Sequence, residues 1–219
     1  MTIPEEASPL GRFRRSMARG LEEWREGIGY DLAALAEASP EERLTIEQLL
    51  LHRSPLTWCD IEALATLDTP GARDALRRAA LDPDPMIQVA VSRFAPRLIG
   101  EEARTAALIQ GIAHGTIYGG LTATLLEVEA FHPSAVLEAL WRGTSEREGE
   151  VAMHLAAMLL FLHGLAPEPF DWEQRPFLLR FHTEHRTARA AAVAELQARI
   201  AQRVGGLEHP PASPSTPAE

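Results

Sequence analysis

The sequence is poor in cysteine, in long apolar runs and in lysine, and these shortages narrow the classes of protein to consider. Cys59 is the only cysteine, so neither an internal disulfide nor a multi-cysteine metal cluster is possible. The longest apolar run, residues 155–162, is much shorter than the roughly 20 residues of a transmembrane helix. All 21 basic residues are arginine, which fits a GC-rich coding bias. We therefore expect a cytoplasmic protein with no membrane partner.

The chain is acidic, with 31 acidic against 21 basic residues and a formal net charge of −10. The largest local excess of acid falls in residues 101–164. A surface that binds nucleic acid must be cationic to neutralise phosphates, so we expect no nucleic-acid partner. The acidity suits a basic protein partner, although it also serves solubility alone.

Signals for helix starts recur along the chain, and strand signals are nearly absent. Ser39, Pro40 and Glu42 have the spacing of a capping box with proline in the first turn. Asp31 is a further capping residue, and Thr69-Pro70 and Asp84-Pro85 repeat the pattern of a cap followed by proline. Short turns between such helices pack them antiparallel, so the pattern predicts an all-α protein.

A degenerate repeat runs through the middle of the chain. Residues 84–90, Asp-Pro-Met-Ile-Gln-Val-Ala, have a partial second copy at residues 147–154, and Val89 and Val151 mark the same position in the two copies. This pattern resembles the second helix of a HEAT-like repeat, although Gln88 replaces an arginine that is common there. The resemblance implies a right-handed superhelix of antiparallel helix pairs, that is, a HEAT-like α-solenoid.

These patterns divide the chain into three parts. Residues 1–30 form an N-terminal segment that we expect to be partly helical. Residues 31–204 form a single HEAT-like domain, with degenerate repeats at about 60–164 and a C-terminal cap at 165–204. Residues 205–219 are rich in proline and serine and are expected to be disordered. The aromatic segment 170–181 either covers an open end of the core or anchors a partner.

The resemblance also indicates where a binding surface would lie. In a solenoid of helix pairs, the second helices line one side and form the concave face. Polar residues at matched positions of these helices predict an acid-leaning stripe on that face. The stripe consists of Gln88, Ser92, Tyr118, Thr122, Glu150 and His154.

The strongest hint of chemistry is the pair Glu150 and His154, which lie one helical turn apart on one helix face. A zinc or iron site needs three or four ligands, and no third one can be placed from the sequence. Cys59 is a poor nucleophile because the charge of Asp60 raises a thiol pKa, and Trp58 and Cys59 are expected to be core anchors. We therefore assign no catalytic residue, metal or cofactor.

Two functions remain open. The first is a non-catalytic interaction protein that binds a basic partner on its concave face, for example an inhibitor or immunity-type protein. The second is an enzyme or lyase, because HEAT-like folds include alkylpurine DNA glycosylases and bilin lyases. That alternative would place a metal-dependent site near Glu150 and His154.

Overall fold

A computed structural model describes residues 7–18 and 28–207, and helices account for the regular structure in these ranges, with no β-strand among them. The predicted all-α class is therefore confirmed. The α-helices are α1 Pro9–Met17, α2 Leu32–Glu37, α3 Pro40–Leu51, α4 Trp58–Leu67, α5 Pro70–Ala79, α6 Pro85–Phe94, α7 Glu101–His114, α8 Leu121–Ala130, α9 Ser134–Glu146, α10 Gly149–Leu162, α11 Arg175–Leu178 and α12 Arg186–Leu207. Most of the predicted disordered tail, from residue 208 onward, lies outside the described residues.

The predicted helix starts are confirmed at the level of hydrogen bonds. Ser39 and Glu42 form a reciprocal capping box at the start of α3. The side chains of Asp31, Thr69 and Asp84 each accept a hydrogen bond from a backbone N–H of the helix that follows. A cap satisfies a backbone donor that would otherwise lack a partner, so these residues fix where each helix begins.

The chain forms two compact units, Met1–Phe131 and His132–Glu219. In the first unit α6 packs against both α4 and α8, so these three helices lie side by side. Helices α3 and α5 pack against each other in a second layer, and α1 and α2 cover the N-terminal end. The prediction of one continuous repeat domain over residues 31–204 stays a prediction.

Close contact between helices sets the packing of the first unit. A methyl group added at Gly111 of α7 would lie 2.5 Å from the Thr124 hydroxyl oxygen of α8 and 3.0 Å from a methyl carbon of Val89 on α6. Only a residue without a side chain fits there, and α8 consequently approaches α7 and α6 closely. The core of this unit includes the fully buried Phe13 and Leu64.

The second unit is built around α10, whose apolar run from the sequence is almost entirely buried. Helices α9, α11 and α12 all pack against it. The aromatic segment divides in two: Phe177 and Phe181 are buried, whereas the Trp172 side chain is 71% exposed. Across the described part of the chain, no helix combines the length and apolar character that a membrane crossing needs.

Candidate functional site

The first unit carries a groove of about 1260 Å³ across the side-by-side helices α4, α6 and α8. The three helices supply most of its wall, and the loop before α8 and residues 29–32 supply the rest. Its lining is mainly apolar and aromatic, with one glutamate and one arginine. The lining residues are Gly29, Tyr30, Leu32, Trp58, Glu62, Met86, Val89, Ala90, Arg93, Phe94, Ile117, Tyr118, Gly120, Thr122, Ala123 and Leu126.

Helical spacing explains why these side chains share one surface. Trp58 and Glu62 are four residues apart on α4, as are Thr122 and Leu126 on α8, so each pair occupies one helix face. The groove leaves large side chains open to solvent, because Tyr118 is 92% exposed and Leu126 is 48% exposed. A concave surface with exposed aromatic and aliphatic side chains has the composition of a binding site.

A buried carboxylate holds one wall of the groove in place. Asp60 is fully buried and accepts hydrogen bonds from the Tyr30 hydroxyl at 2.9 Å and from the backbone and hydroxyl of Thr57 at 2.8 and 2.7 Å. The Nε atom of Arg53 lies 2.9 Å from the same carboxylate. Because a buried charge must be paired, this network ties the groove residue Tyr30 to the start of α4.

The end of the groove near α8 depends on a glycine. Gly120 has φ +84°, and a methyl group on it would lie 1.4 Å from the sulfur of Met86. Both the left-handed backbone and the close approach of Met86 therefore require glycine at this position. Gly120 therefore allows both the turn before α8 and the close approach of α6.

Glu62 is the acidic group of the groove, and it is half-buried on the face of α4. Burial raises the pKa of its carboxyl above the usual range, and the nearby Arg93 lowers it by a smaller amount. No described residue lies within hydrogen-bonding or 4.0 Å ion-pair distance of this carboxylate. The groove thus contains an acid that is partly desolvated but not neutralised by a close partner.

Of the six predicted stripe residues, the structure places Tyr118 and Thr122 in this groove. Gln88 does not line the groove; its Nε2 donates a hydrogen bond of 2.7 Å to the backbone oxygen of Asp82. Ser92 is fully buried, so it cannot belong to an exposed stripe. Each residue step turns a helix by 100°, and the neighbouring Arg93 lines the groove instead of Ser92; Val89 also touches the groove but is itself fully buried.

Sequence reasoning also missed the most distinctive part of the groove. Trp58 was expected in the core together with Cys59; Cys59 is buried, whereas Trp58 is partly buried, packs against the core and also lines the groove. The four-residue spacing of Trp58 and Glu62 was a signal that could have identified this face. The contribution of Gly29 and Tyr30 could not be read in the same way, because no helical period relates them to α4.

Glu150 and His154 belong to the second unit, on α10. The His154 ring stacks on Phe170 with centroids 4.7 Å apart and an interplanar angle of 25°. Burial lowers the pKa of His154, and Glu150, which is exposed, partly opposes that shift. His154 therefore packs against an aromatic ring. Its interaction with Glu150, the other member of the predicted pair, is an electrostatic influence on its pKa.

Nothing in the described ranges brings together three or more His, Cys, Asp or Glu side chains in a way that could hold a metal ion. Burial, with the charges of Asp60 and Glu62, raises the pKa of the Cys59 thiol to about 12. At neutral pH this group is a buried thiol and not a nucleophilic thiolate.

A smaller cavity of about 630 Å³ lies in the second unit, between the end of α9 and the first half of α12. Its central cation, Arg189, is buried and donates hydrogen bonds to the backbone oxygens of Ser145 and Thr183 at 3.1 and 3.0 Å. Glu148 lies 3.7 Å from the same guanidinium. Arg189 on α12 therefore connects the end of α9, the turn before α10 and the loop at Thr183, which is a structural role.

Comparison of the chain with protein-family models, with curated proteins and with solved structures gives no match. The groove of the first unit is consequently interpreted from its own residues and geometry.

Proposed function

We propose that this protein is a non-catalytic interaction protein that binds a segment of a basic partner protein in the groove of α4, α6 and α8. The observation that carries the proposal is the groove lining, in which Tyr118 and Leu126 leave apolar surface exposed and Glu62 has no close partner among the described residues. Apolar anchors supply most of the affinity in such sites, and charges supply selectivity. An inhibitor or immunity-type protein would act in this way.

A HEAT-like arrangement is part of the proposal. The groove is formed by alternate helices, and α3, α5 and α7 are then the first members of the pairs α3–α4, α5–α6 and α7–α8. Helix-pair repeats bind on the surface formed by their second helices. We propose that these pairs are HEAT-like repeats in a right-handed superhelix, as the resemblance at residues 84–90 implies.

The net charge of −10 supports a basic partner, because complementary charge speeds association and disfavours acidic competitors. The alternative of an enzyme or lyase near Glu150 and His154 has less support. His154 stacks on Phe170, and within the described part of the chain no cluster of three or more His, Cys, Asp or Glu that could hold a metal ion includes it.

A peptide selection with the full-length protein tests the proposal. A random peptide library is displayed on phage and selected on the wild-type protein, and dissociation constants of the enriched peptides are then measured by calorimetry. Leu126→Glu places a charge inside the groove, and we expect it to weaken binding at least about tenfold. Leu81→Glu is the matched control, because Leu81 is 84% exposed and does not line the groove.

The outcomes are distinct. Enriched peptides that lose affinity for Leu126→Glu and keep it for Leu81→Glu support the groove as the binding site. If no peptide is enriched, or if both variants bind like the wild type, the proposal is wrong.

A further inference from the structure

We infer that the end of the groove formed by Tyr30, Trp58 and Glu62 accepts a lysine or arginine side chain of the bound segment. The inference rests on the proposed function, and it names the feature of the partner that the groove selects. Glu62 is then a specificity-determining residue, and the two aromatic side chains are the walls around the cation.

The Glu62 carboxylate is the first reason. It is half-buried among apolar groove residues and has no hydrogen bond or close ion pair from any described residue. Taking a carboxylate partly out of water without a partner is unfavourable, and a cation that enters the groove would offset that penalty.

The position of Trp58 is the second reason. A methyl group added at Gly29 would lie 3.1 Å from Oε2 of Glu62 and 3.2 Å from Cη2 of Trp58. The carboxylate and the indole edge therefore converge on one point beside the glycine backbone. A guanidinium or ammonium group near an aromatic ring gains cation–π attraction in addition to the ion pair.

Tyr30 is the third reason, because its orientation is fixed. Its hydroxyl donates to the buried Asp60 at 2.9 Å, and its ring packs edge-on against Phe13 with centroids 5.5 Å apart. A ring held in place loses little entropy when a cation binds beside it. The hydroxyl is occupied by Asp60, so the ring, and not the hydroxyl, is what Tyr30 offers to a ligand.

Arg93 on α6 is the cation among the described residues that line the groove, and it leaves the Glu62 carboxylate free to pair with a ligand. Its guanidinium carbon lies 5.3 Å from the ring centroid of the neighbouring Phe94. It influences Glu62 electrostatically but does not form a close ion pair with it. A cation of the partner that reaches Glu62 within hydrogen-bonding distance therefore gains an interaction that Arg93 leaves unused.

The test uses peptides selected on the wild-type protein as described above. Each Arg in a selected peptide is replaced in turn by citrulline and each Lys by norleucine, which remove the charge and keep most of the shape. Dissociation constants are measured by fluorescence anisotropy for wild type, Glu62→Gln and Glu129→Gln. Glu129 is exposed on α8 outside the groove lining, so its substitution changes the net charge equally and serves as the control.

We expect one cationic position in the peptide for which Glu62→Gln weakens binding about tenfold or more, in the range measured for close charge pairs across interfaces. The neutral analogue at that position should bind wild type and Glu62→Gln equally, and Glu129→Gln should change affinity less than about twofold because exposed charges are screened. Thermal unfolding of both variants verifies that they fold.

Selected peptides that lack Lys and Arg, or that bind Glu62→Gln as tightly as the wild type, overturn the inference. If those same peptides still lose affinity for Leu126→Glu, the proposed function stands without it. If Leu126→Glu binds the selected peptides as tightly as the wild type does, both the inference and the proposed function are wrong.

Discussion

Tyr30 and Asp60 are joined by a hydrogen bond of 2.9 Å that links a groove-lining side chain to a fully buried carboxylate. The same carboxylate forms an ion pair with Arg53. It also completes a capping box with Thr57 at the start of α4. A single acid thus takes part in both the cap at the start of α4 and the hydrogen bond that holds Tyr30. The shape of the groove depends on this network as well as on the groove side chains themselves.

Asp60→Asn should destabilise the protein by about 2–4 kcal/mol, because it leaves Arg53 without its counterion and cannot accept all the hydrogen bonds of the carboxylate. Urea unfolding at pH 7 measures this change. Asp74→Asn is the control, since Asp74 pairs with Arg77 at an exposed site where ion pairs contribute little. Equal stability of the two variants would contradict the structural role of Asp60.

Gly120→Ser should destabilise the protein by about 2 kcal/mol or more, because a side chain there is strained at φ +84° and collides with Met86. Gly100→Ser makes the matched comparison. Gly100 precedes α7 with φ −67°, no atom lies within 4 Å of the added carbon, and serine is a good capping residue. We expect its melting temperature to be unchanged or raised, and an equal loss in both variants would refute the assignment for Gly120.

The affinity of a cationic peptide should depend on pH through Glu62. The pKa of Glu62 is raised above its usual 4.5, so the carboxylate takes up a proton at a higher pH than an exposed glutamate. Only the ionised form attracts the cation; affinity is therefore constant above that pKa and falls below it, by up to about tenfold per pH unit.

Anisotropy titrations between pH 7.5 and 4.5 measure this dependence, with peptides that carry no His, Asp, Glu or free carboxyl terminus. Burial raises the pKa of Tyr30 further above this interval, so Tyr30 does not titrate within it. Glu62→Gln should give a flatter profile. Parallel profiles for the two proteins would mean that Glu62 does not contact the cation.

His154 should make the protein less stable in mild acid. Burial lowers its pKa below the usual 6.5, so the unfolded chain binds the proton more readily than the folded protein does. Stability is therefore retained above pH 6.5 and lost as the pH falls through 6.5 towards the folded pKa. Urea unfolding from pH 8 to pH 5 should show a steeper loss for wild type than for His154→Gln, and equal slopes would argue against the shift.

The sequence predicted those parts of the fold that local chemistry determines. The caps at Asp31, Ser39, Thr69 and Asp84 were correct because a cap requires a particular residue type within three residues of the helix start. The rotation of α6 was harder to predict. An error of one position turns the helix by 100°, which is why Ser92 was assigned to a surface although it is buried.

The contacts of irregular segments could not be predicted at all. Phe170 reaches His154 from a loop, with φ +89°, and no sequence period relates the two residues. Tyr30 likewise meets Asp60 from a segment that precedes α2. Such contacts depend on tertiary packing, and the local pattern on which sequence arguments rest does not contain them.

The position of a bound peptide on the protein is the most direct test of the account. The chain has five methionines, and Met86 lies in the groove whereas Met153 and Met158 are buried in the second unit. With ¹³C-methyl-labelled methionine, titration with a selected peptide should shift the Met86 methyl resonance and leave those of Met153 and Met158 in place. A peptide that binds with an unchanged Met86 resonance, or that shifts Met153 and Met158 instead, would contradict binding in the groove of α4, α6 and α8.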